Sequence, residues 1–268
     1  MTTVNAIIFR AAGINCDAET HYALELAGAK AERLHINRII EDKKLLDRFH
    51  IIVVPGGFSY GDDVSAGKIL ANQTIHHLAD AMRKFIDDSK LVLGICNGFQ
   101  VLVKAGILPF NSIGSQETVT ITNNDCGKFE DRWVYLAPQT KKCVFIEPGR
   151  QIYLPIAHGE GKVVTKNDDT LEQLKSGGHI AFKYVDENGK EGPFPINPNG
   201  SVDSIAGLTD TTGRVLGLMP HPERFVRPTH HPRWTRLKDL SAVSLADKVD
   251  ADGTTIFNNA VKYIKDNF

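Results

Sequence analysis

Four short apolar runs in the first hundred residues, separated by segments with helical spacing, restrict the fold of this chain more than any other feature. The runs are Val4–Phe9, Ala31–Ile36, His50–Val54 and Lys90–Ile95. Between the first two, Asp17–Ala27 sets Ala18, Tyr22 and Leu26 one helical turn apart. Between the last two, Ala66–Ile86 carries Ile69, Leu78, Met82 and Phe85 among its apolar positions. Alternation of this kind predicts parallel strands joined by right-handed crossovers, in a sheet covered on both faces. Ligands of such sheets bind beyond the carboxyl ends of the strands.

From Thr118 the pattern changes. Thr118–Thr122, Arg132–Leu136, Gln151–Ala157, Lys162–Thr165 and His179–Val185 read as strands, with Glu187-Asn188-Gly189 as a turn and residues 192–200 as a loop. Ser204–Leu208 and Val215–Met219 return to apolar runs. The segment 254–267 reads as a closing amphipathic helix, with Phe257, Val261, Ile264 and Phe268 on one stripe. No composition break or repeat divides the 268 residues, which favours one domain. Arg227, Arg233, Arg236 and Lys238 surround Pro228, Pro232 and Trp234. This basic patch reads as a solvated tail packed over the domain, or else as a docking surface.

A net charge of −1 gives no electrostatic footprint for nucleic acid or an anionic membrane. No apolar run approaches the roughly 18 residues of a membrane span, and MTTVNAIIFR lacks the features of a signal peptide, so the cytoplasm is expected. Cys16, Cys96, Cys126 and Cys143 form no C-x-x-C pair, which argues against structural zinc and against a disulfide framework.

Chemistry enters at GICNGFQ, residues 94–100. An apolar strand that ends in a cysteine framed by Gly94 and Gly98 fits a nucleophile elbow, with Cys96 held up at a sharp strand-to-helix turn. The helix N-terminus lowers a thiol pKa, and the Asn97 amide is a natural oxyanion donor. A thiolate also needs a proton shuttle. In GLMPHPERF, His221 and Glu223 are two residues apart between prolines, so in an extended segment they face the same way. A carboxylate there can fix the imidazole's tautomer. Cys, His and Glu together suit acyl transfer through a thioester. Gly57, just past a strand in VVPGGFSYGDD, offers a second oxyanion amide, and Gln100 can hydrogen-bond a polar substrate.

Two decoys fall away. GDDVSAGKI, residues 61–69, has five residues between its glycines instead of the four of a phosphate-binding loop, and Ile69 where Ser or Thr should hold magnesium. The doublets His76-His77 and His230-His231 lack further ligands at metal-binding spacing, so no metal is expected.

Gly-x-Cys-x-Gly-x-Gln, the upstream Pro-Gly-Gly and the distant His-Pro-Glu resemble the class I, triad-type glutamine amidotransferases. More narrowly, PGGFSYGDDVSAG (55–67), KFEDRWV (128–134), PIAHGEGK (155–162), NPNGSVDSIAG (197–207) and GLMPHPER (217–224) are similar to the glutaminase subunits of phosphoribosylformylglycinamidine synthases. The resemblance implies an α/β fold, a flavodoxin-like three-layer sandwich with a mixed, mostly parallel central sheet. It implies one type 1 amidotransferase domain over 1–268, with 225–268 as a C-terminal extension packed on it and longer than in the shorter members. It also implies glutamine hydrolysis in purine biosynthesis, with ammonia passed to a large synthetase subunit that holds ATP and magnesium, and leaves room for a small third subunit. No cofactor is then expected in this chain. Carried over by position, Cys96 is the nucleophile, His221 the base and then acid, and Glu223 its orienter. Gly57 and Asn97 act through their amides, Gln100 contacts glutamine, and His158-Gly159 lies beside the substrate's α-amino and carboxylate groups. RAAGINCD (10–17) matches the family only loosely, and Cys16 receives no role. The rival enzymatic reading is a cysteine hydrolase or chaperone-like protein of the related flavodoxin-like superfamily, against which His221, Glu223 and Gln100 argue.

Overall fold

The computed structural model describes residues 2–115, 117–236 and 251–268; Lys238 of the basic patch lies outside them. The strands are β1 (Asn5–Arg10), β2 (Lys30–His35), β3 (Ile51–Val54), β4 (Leu91–Ile95), β5 (Val119–Thr122), β6 (Glu130–Pro138), β7 (Ile152–His158), β8 (Lys162–Thr165), β9 (Ile180–Val185), β10 (Ile205–Thr209) and β11 (Val215–Leu218). Nine of them make one sheet in the order β2-β1-β3-β4-β11-β10-β9-β6-β7, and β5 pairs with β8 separately. The first five strands in that order are mutually parallel; each remaining neighbour pair is antiparallel. Only β10 and β6 therefore run against the others. The sheet is mixed and mostly parallel, as the motifs imply.

Helices lie on both sides of it: α1 (Asp17–Leu26), α2 (Ile36–Glu41), α3 (Lys68–Gln73), α4 (Ala79–Asp87), α5 (Asn97–Lys104), α6 (Asp168–Ser176) and α7 (Thr254–Asn267). The long helical pattern 66–86 resolves into α3 and α4, joined through a π-helical turn at Thr74–Leu78. Two helices escape the sequence pattern. Six-residue α2 is too short to show a period, and α6 has only Leu171 and Leu174 as apolar residues. The signal for α6 was its cap: Asn167 Oδ1 accepts from the Thr170 amide at 2.9 Å, with Asp168 and Asp169 in the first turn. In α7, Phe257, Val261 and Ile264 are buried as expected, whereas Phe268 is 46% exposed and meets the His50 ring edge-on. The stripe ends at Ile264 because the helix itself stops at Asn267. Among the described residues, no helix is long and apolar enough to cross a membrane.

The center of the sheet is closed to solvent. Every residue of β3, β4 and β11 is buried, as strands covered on both faces require. Gly94 of β4 stands opposite Gly217 of β11, and α5 uses the space these two leave. A Cβ at Gly94 would lie 2.6 Å from Leu102 Cδ1 and 2.8 Å from the Gly98 carbonyl oxygen; one at Gly217 would run into the Phe99 ring and Leu108. Gly98 completes the fit, since a Cβ there would collide with the Val54 carbonyl at the end of β3. Glycine in a strand often marks such a close backbone approach. Gly217→Ala must displace Phe99 or Leu108, and overpacking of that kind costs about 1–3 kcal/mol. The urea midpoint should fall accordingly; an unchanged midpoint would mean that α5 is not pressed against β11.

Candidate active site

β3, β4 and β11 are adjacent and parallel, so the segments that follow them emerge side by side at one sheet edge. Those segments are Pro55–Gly57, the Cys96 turn and Pro220–Glu223. Topology thus gathers three motifs that are far apart in sequence.

Cys96 sits at φ 50°, ψ −106°, between β4 and α5. A non-glycine residue held there is strained by roughly 1–3 kcal/mol and persists only where its surroundings fix it. Its amide donates to the Leu218 carbonyl at 2.8 Å, which ties the turn to β11. The thiol is nearly buried, with Sγ 3.7 Å from the Ala157 carbonyl oxygen. Asn97 opens α5, and first-turn amides have no partner within their own helix.

His221 and Glu223 are both buried, and Nδ1 lies 2.6 Å from Glu223 Oε1. A proton on Nδ1 is then donated to the carboxylate, which leaves Nε2 as the free acceptor. Among the described residues, neither Nε2 nor Glu223 Oε2 has a hydrogen-bond partner within the protein. Burial alone would push the imidazole pKa down. The Glu223 carboxylate, and then the Cys96 and Cys16 thiols, outweigh it and hold His221 well above its ordinary value. The backbone is pinned as well: the His221 amide donates to the Pro155 carbonyl at 2.8 Å. β7 lies four strands beyond β11, yet its carbonyls at Pro155 and Ala157 reach His221 and Cys96. The antiparallel half of the sheet must therefore curl back over the site.

Gly57 adopts φ 138°, and a Cβ there would lie within 2.9 Å of backbone atoms of Gly13, Ile14 and Asn15. The neighbouring Phe58 amide is held by the Gly13 carbonyl at 2.9 Å. Gly56 has its own reason to be glycine, since a Cβ would sit 2.8 Å from His221 Cε1 and 3.2 Å from Cys16 Sγ.

The side chains of Asn97 and Gln100 are tied into the protein. Asn97 donates to Asp62 Oδ1 at 3.0 Å and to Gln100 Oε1 at 3.1 Å, and accepts from the Ser59 amide at 3.3 Å. Gln100 donates to the Glu160 carbonyl, which leaves its carboxamide one N–H and one lone pair for a substrate. Asp62 also accepts from the Gly67 amide, and Glu160 from that of Ala66. The decoy loop 61–67 therefore works as a clasp on the elbow, and Gly61 and Gly67 turn it with φ values of 72° and 73°.

His158 is buried beside His221, its Nδ1 3.0 Å from Asn124 Oδ1 and its Nε2 without a partner among the described residues. The Gly159 carbonyl accepts from the Asn124 amide at 2.9 Å. Asn124 thus shapes this loop, and nothing in its sequence context singled it out. Cys16 was missed too. Its sulfur accepts from Arg224 Nη2 at 3.1 Å and contacts His221, while Arg224 pairs with Glu19 at 2.9 Å. Burial pushes the Cys16 thiol up. The wider basic patch is less concerned with the site: Arg227 donates to the Tyr22 hydroxyl and stacks on its ring.

Comparison with known proteins settles the family. Residues 3–264 match the model of the CobB/CobQ-like glutamine amidotransferase domain. A phosphoribosylformylglycinamidine synthase subunit PurQ from Dehalococcoides mccartyi is 44% identical over 267 residues, 99% of each chain. The chain belongs to the PurQ family. The PurQ subunit of Methanococcus maripaludis is 39% identical over 256 residues, 94% of each chain. A chain in the structure of PurLQS from Thermotoga maritima matches with a TM-score of 0.73 at 30% identity, covering 98% of this chain and 100% of that one. The match with the Dehalococcoides PurQ runs over 267 residues and so includes residues beyond Arg224. PurQ membership also decides between the two enzymatic readings, in favor of the amidotransferase.

His158 generates a prediction about stability. Burial first, and then the charge of His221, depress its pKa to about 4 from 6.5. A depressed histidine contributes stability that is present above its unfolded pKa and lost as pH falls through its folded pKa. Between pH 6.5 and about 4, unfolded chains take up a proton that the native site refuses, a loss on the order of 3 kcal/mol. His158→Gln should flatten the decline of the urea midpoint between pH 7 and 4.5; equal slopes for variant and wild type would refute the assignment.

Proposed function

We propose that this chain is the glutaminase subunit of a phosphoribosylformylglycinamidine synthase, hydrolysing glutamine to glutamate and ammonia for a synthetase subunit. The observation that carries the chemistry is the buried His221–Glu223 pair at 2.6 Å, set beside a cysteine held in a left-handed elbow. His221 Nε2 takes the proton of Cys96 and the sulfur attacks the side-chain carbonyl carbon of glutamine. The oxyanion forms between the amides of Gly57 and Asn97. His221 then returns the proton to the leaving nitrogen, ammonia departs and a glutamyl thioester remains. Water, deprotonated by the same nitrogen, attacks the thioester; glutamate leaves and the thiol is restored. Glu223 stabilises the imidazolium in both halves. Gln100 contacts glutamine with its remaining hydrogen-bonding capacity, and His158-Gly159 borders the substrate's α-amino and carboxylate groups.

The rest of the reaction belongs to partners. A large synthetase subunit, with ATP and magnesium, converts formylglycinamide ribonucleotide to formylglycinamidine ribonucleotide, and the assembly has a place for a small third subunit. This chain needs no cofactor of its own, and its compartment is the cytoplasm.

The division of labor is testable with Cys96→Ala. The reconstituted complex should lose glutamine-dependent amidine synthesis by roughly 10³-fold or more, because no thioester forms. It should keep synthesis when ammonium salt replaces glutamine. Retained glutamine-dependent synthesis would remove Cys96 as nucleophile. Failure with ammonium, in a complex shown to be assembled, would mean that this chain does more than supply nitrogen.

A further inference from the structure

Cys16 lies on the same imidazole as the proposed nucleophile, although 205 residues separate it from His221 in sequence. One ligand atom each from Cys16, His221 and Glu223 lie within 4.8 Å of one another, and all three residues are buried. Cys96 contacts the same ring. Two buried polar atoms here have no hydrogen-bond partner among the described residues, His221 Nε2 and Glu223 Oε2. Thiol, imidazole and carboxylate are the donor set that zinc takes in proteins.

We propose that Cys16, His221 and Glu223 form an inhibitory binding site for a thiophilic divalent cation, Zn²⁺ foremost, beside the Cys96 thiol, with Cys16 as the ligand that catalysis does not use. Tetrahedral zinc holds its ligands at roughly 2.0–2.3 Å, hence about 3.3–3.8 Å from one another. Spacings of up to 4.8 Å close to that range by side-chain rotation. Entry of the ion displaces the Cys16 thiol proton and the proton on the ligating imidazole nitrogen to solvent as one zinc–sulfur and one zinc–nitrogen bond form. Arg224 is a neighbour with consequences of both signs. Its guanidinium, 3.1 Å from Cys16 Sγ, favors the thiolate that zinc requires, while its charge opposes the cation and is partly offset by Glu19. The bound ion occupies the imidazole that would take the proton of Cys96, so proton transfer stops and the Cys96 thiol is not activated. Release by a chelator restores both. Inhibition rests on the glutaminase reading; binding does not.

The test uses the full chain with Co²⁺ and Zn²⁺ as the only probes. Cobalt on thiolate sulfur gives a sulfur-to-metal charge-transfer absorption, and Zn²⁺ should displace the cobalt and abolish that band. Cys96→Ala should retain the band through Cys16. Cys16→Ser should weaken zinc binding at least as much as the roughly 10–100-fold lost with an outer-shell partner. Should Cys16→Ser fold poorly, the wild-type chain still answers: Zn²⁺ should protect Cys16 from alkylation in partly opened protein, as read by peptide mass spectrometry. The proposal is overturned if cobalt shows no thiolate band in Cys96→Ala, if Cys16→Ser binds zinc like the parent, or if Cys16 is alkylated equally with and without zinc. Each of these can fail while glutamine hydrolysis stands. Conversely, a chain that binds zinc through Cys16 yet never hydrolyses glutamine would sink the glutaminase reading alone.

Discussion

Helix α5 can begin where it does only because nothing projects from three glycines. Gly94 and Gly217, side by side on β4 and β11, let Leu102 and Phe99 descend onto the sheet, and Gly98 passes under the Val54 carbonyl. With the helix that close, the link from Ile95 to Asn97 has no slack, and Cys96 is forced to positive φ. The strain is local, whereas the packing that holds it spans β3, β4 and β11, all wholly buried. A core of that density shifts in discrete steps rather than yielding gradually. The position of the thiol is therefore a property of the sheet's center, more than of the loop that carries it.

Electrostatics at this edge are arranged differently from an ordinary buried ion pair. His221 and Glu223 satisfy one another at Nδ1 and Oε1, but Nε2 and Oε2 are left over among the described residues. Unmade hydrogen bonds of buried groups cost about 1–3 kcal/mol each. The glycine pair Gly56-Gly57 preserves the open side, since a methyl group at Gly56 would press on the imidazole. The site is thus maintained against the fold's own preference for filled space and paired polar atoms, which is the expected signature of a place where a substrate supplies the missing partners.

Much of this was legible in the sequence because it is local. The elbow needs five consecutive residues, and the histidine and its carboxylate are two apart between prolines that hold the step extended. The βαβ rhythm gave the parallel half of the sheet, and parallel order then set the three motifs at one edge. Asp62, Asn124, Glu160 and Cys16 were not legible because each acts across long separations: Asp62 reaches Asn97 over 35 residues, Asn124 reaches His158 over 34, and Arg224 reaches Cys16 over 208. Their types carry no period and no motif. Gly217 was visible as a glycine inside an apolar strand, but only the register opposite Gly94 reveals what it admits.

The same reasoning gives the segment after Glu223 a physical task. Among the described residues β7 is an edge strand, paired only with β6, and an uncovered edge invites pairing with another chain. Here Asp252 Oδ2 accepts from the Tyr153 amide at 2.9 Å, and Phe225 and His231 pack on the rings of Trp133 and Tyr153. One residue later, the Gly253 amide donates to the Phe225 carbonyl, and its α-carbon lies so close to Pro222 that a side chain would strike that carbonyl. Pro222 lies between His221 and Glu223. The tail therefore joins the strand whose carbonyls touch Cys96 and His221 to the turn that carries the imidazole. The curl of the antiparallel half and the placement of the histidine are in this way held by one and the same contact set.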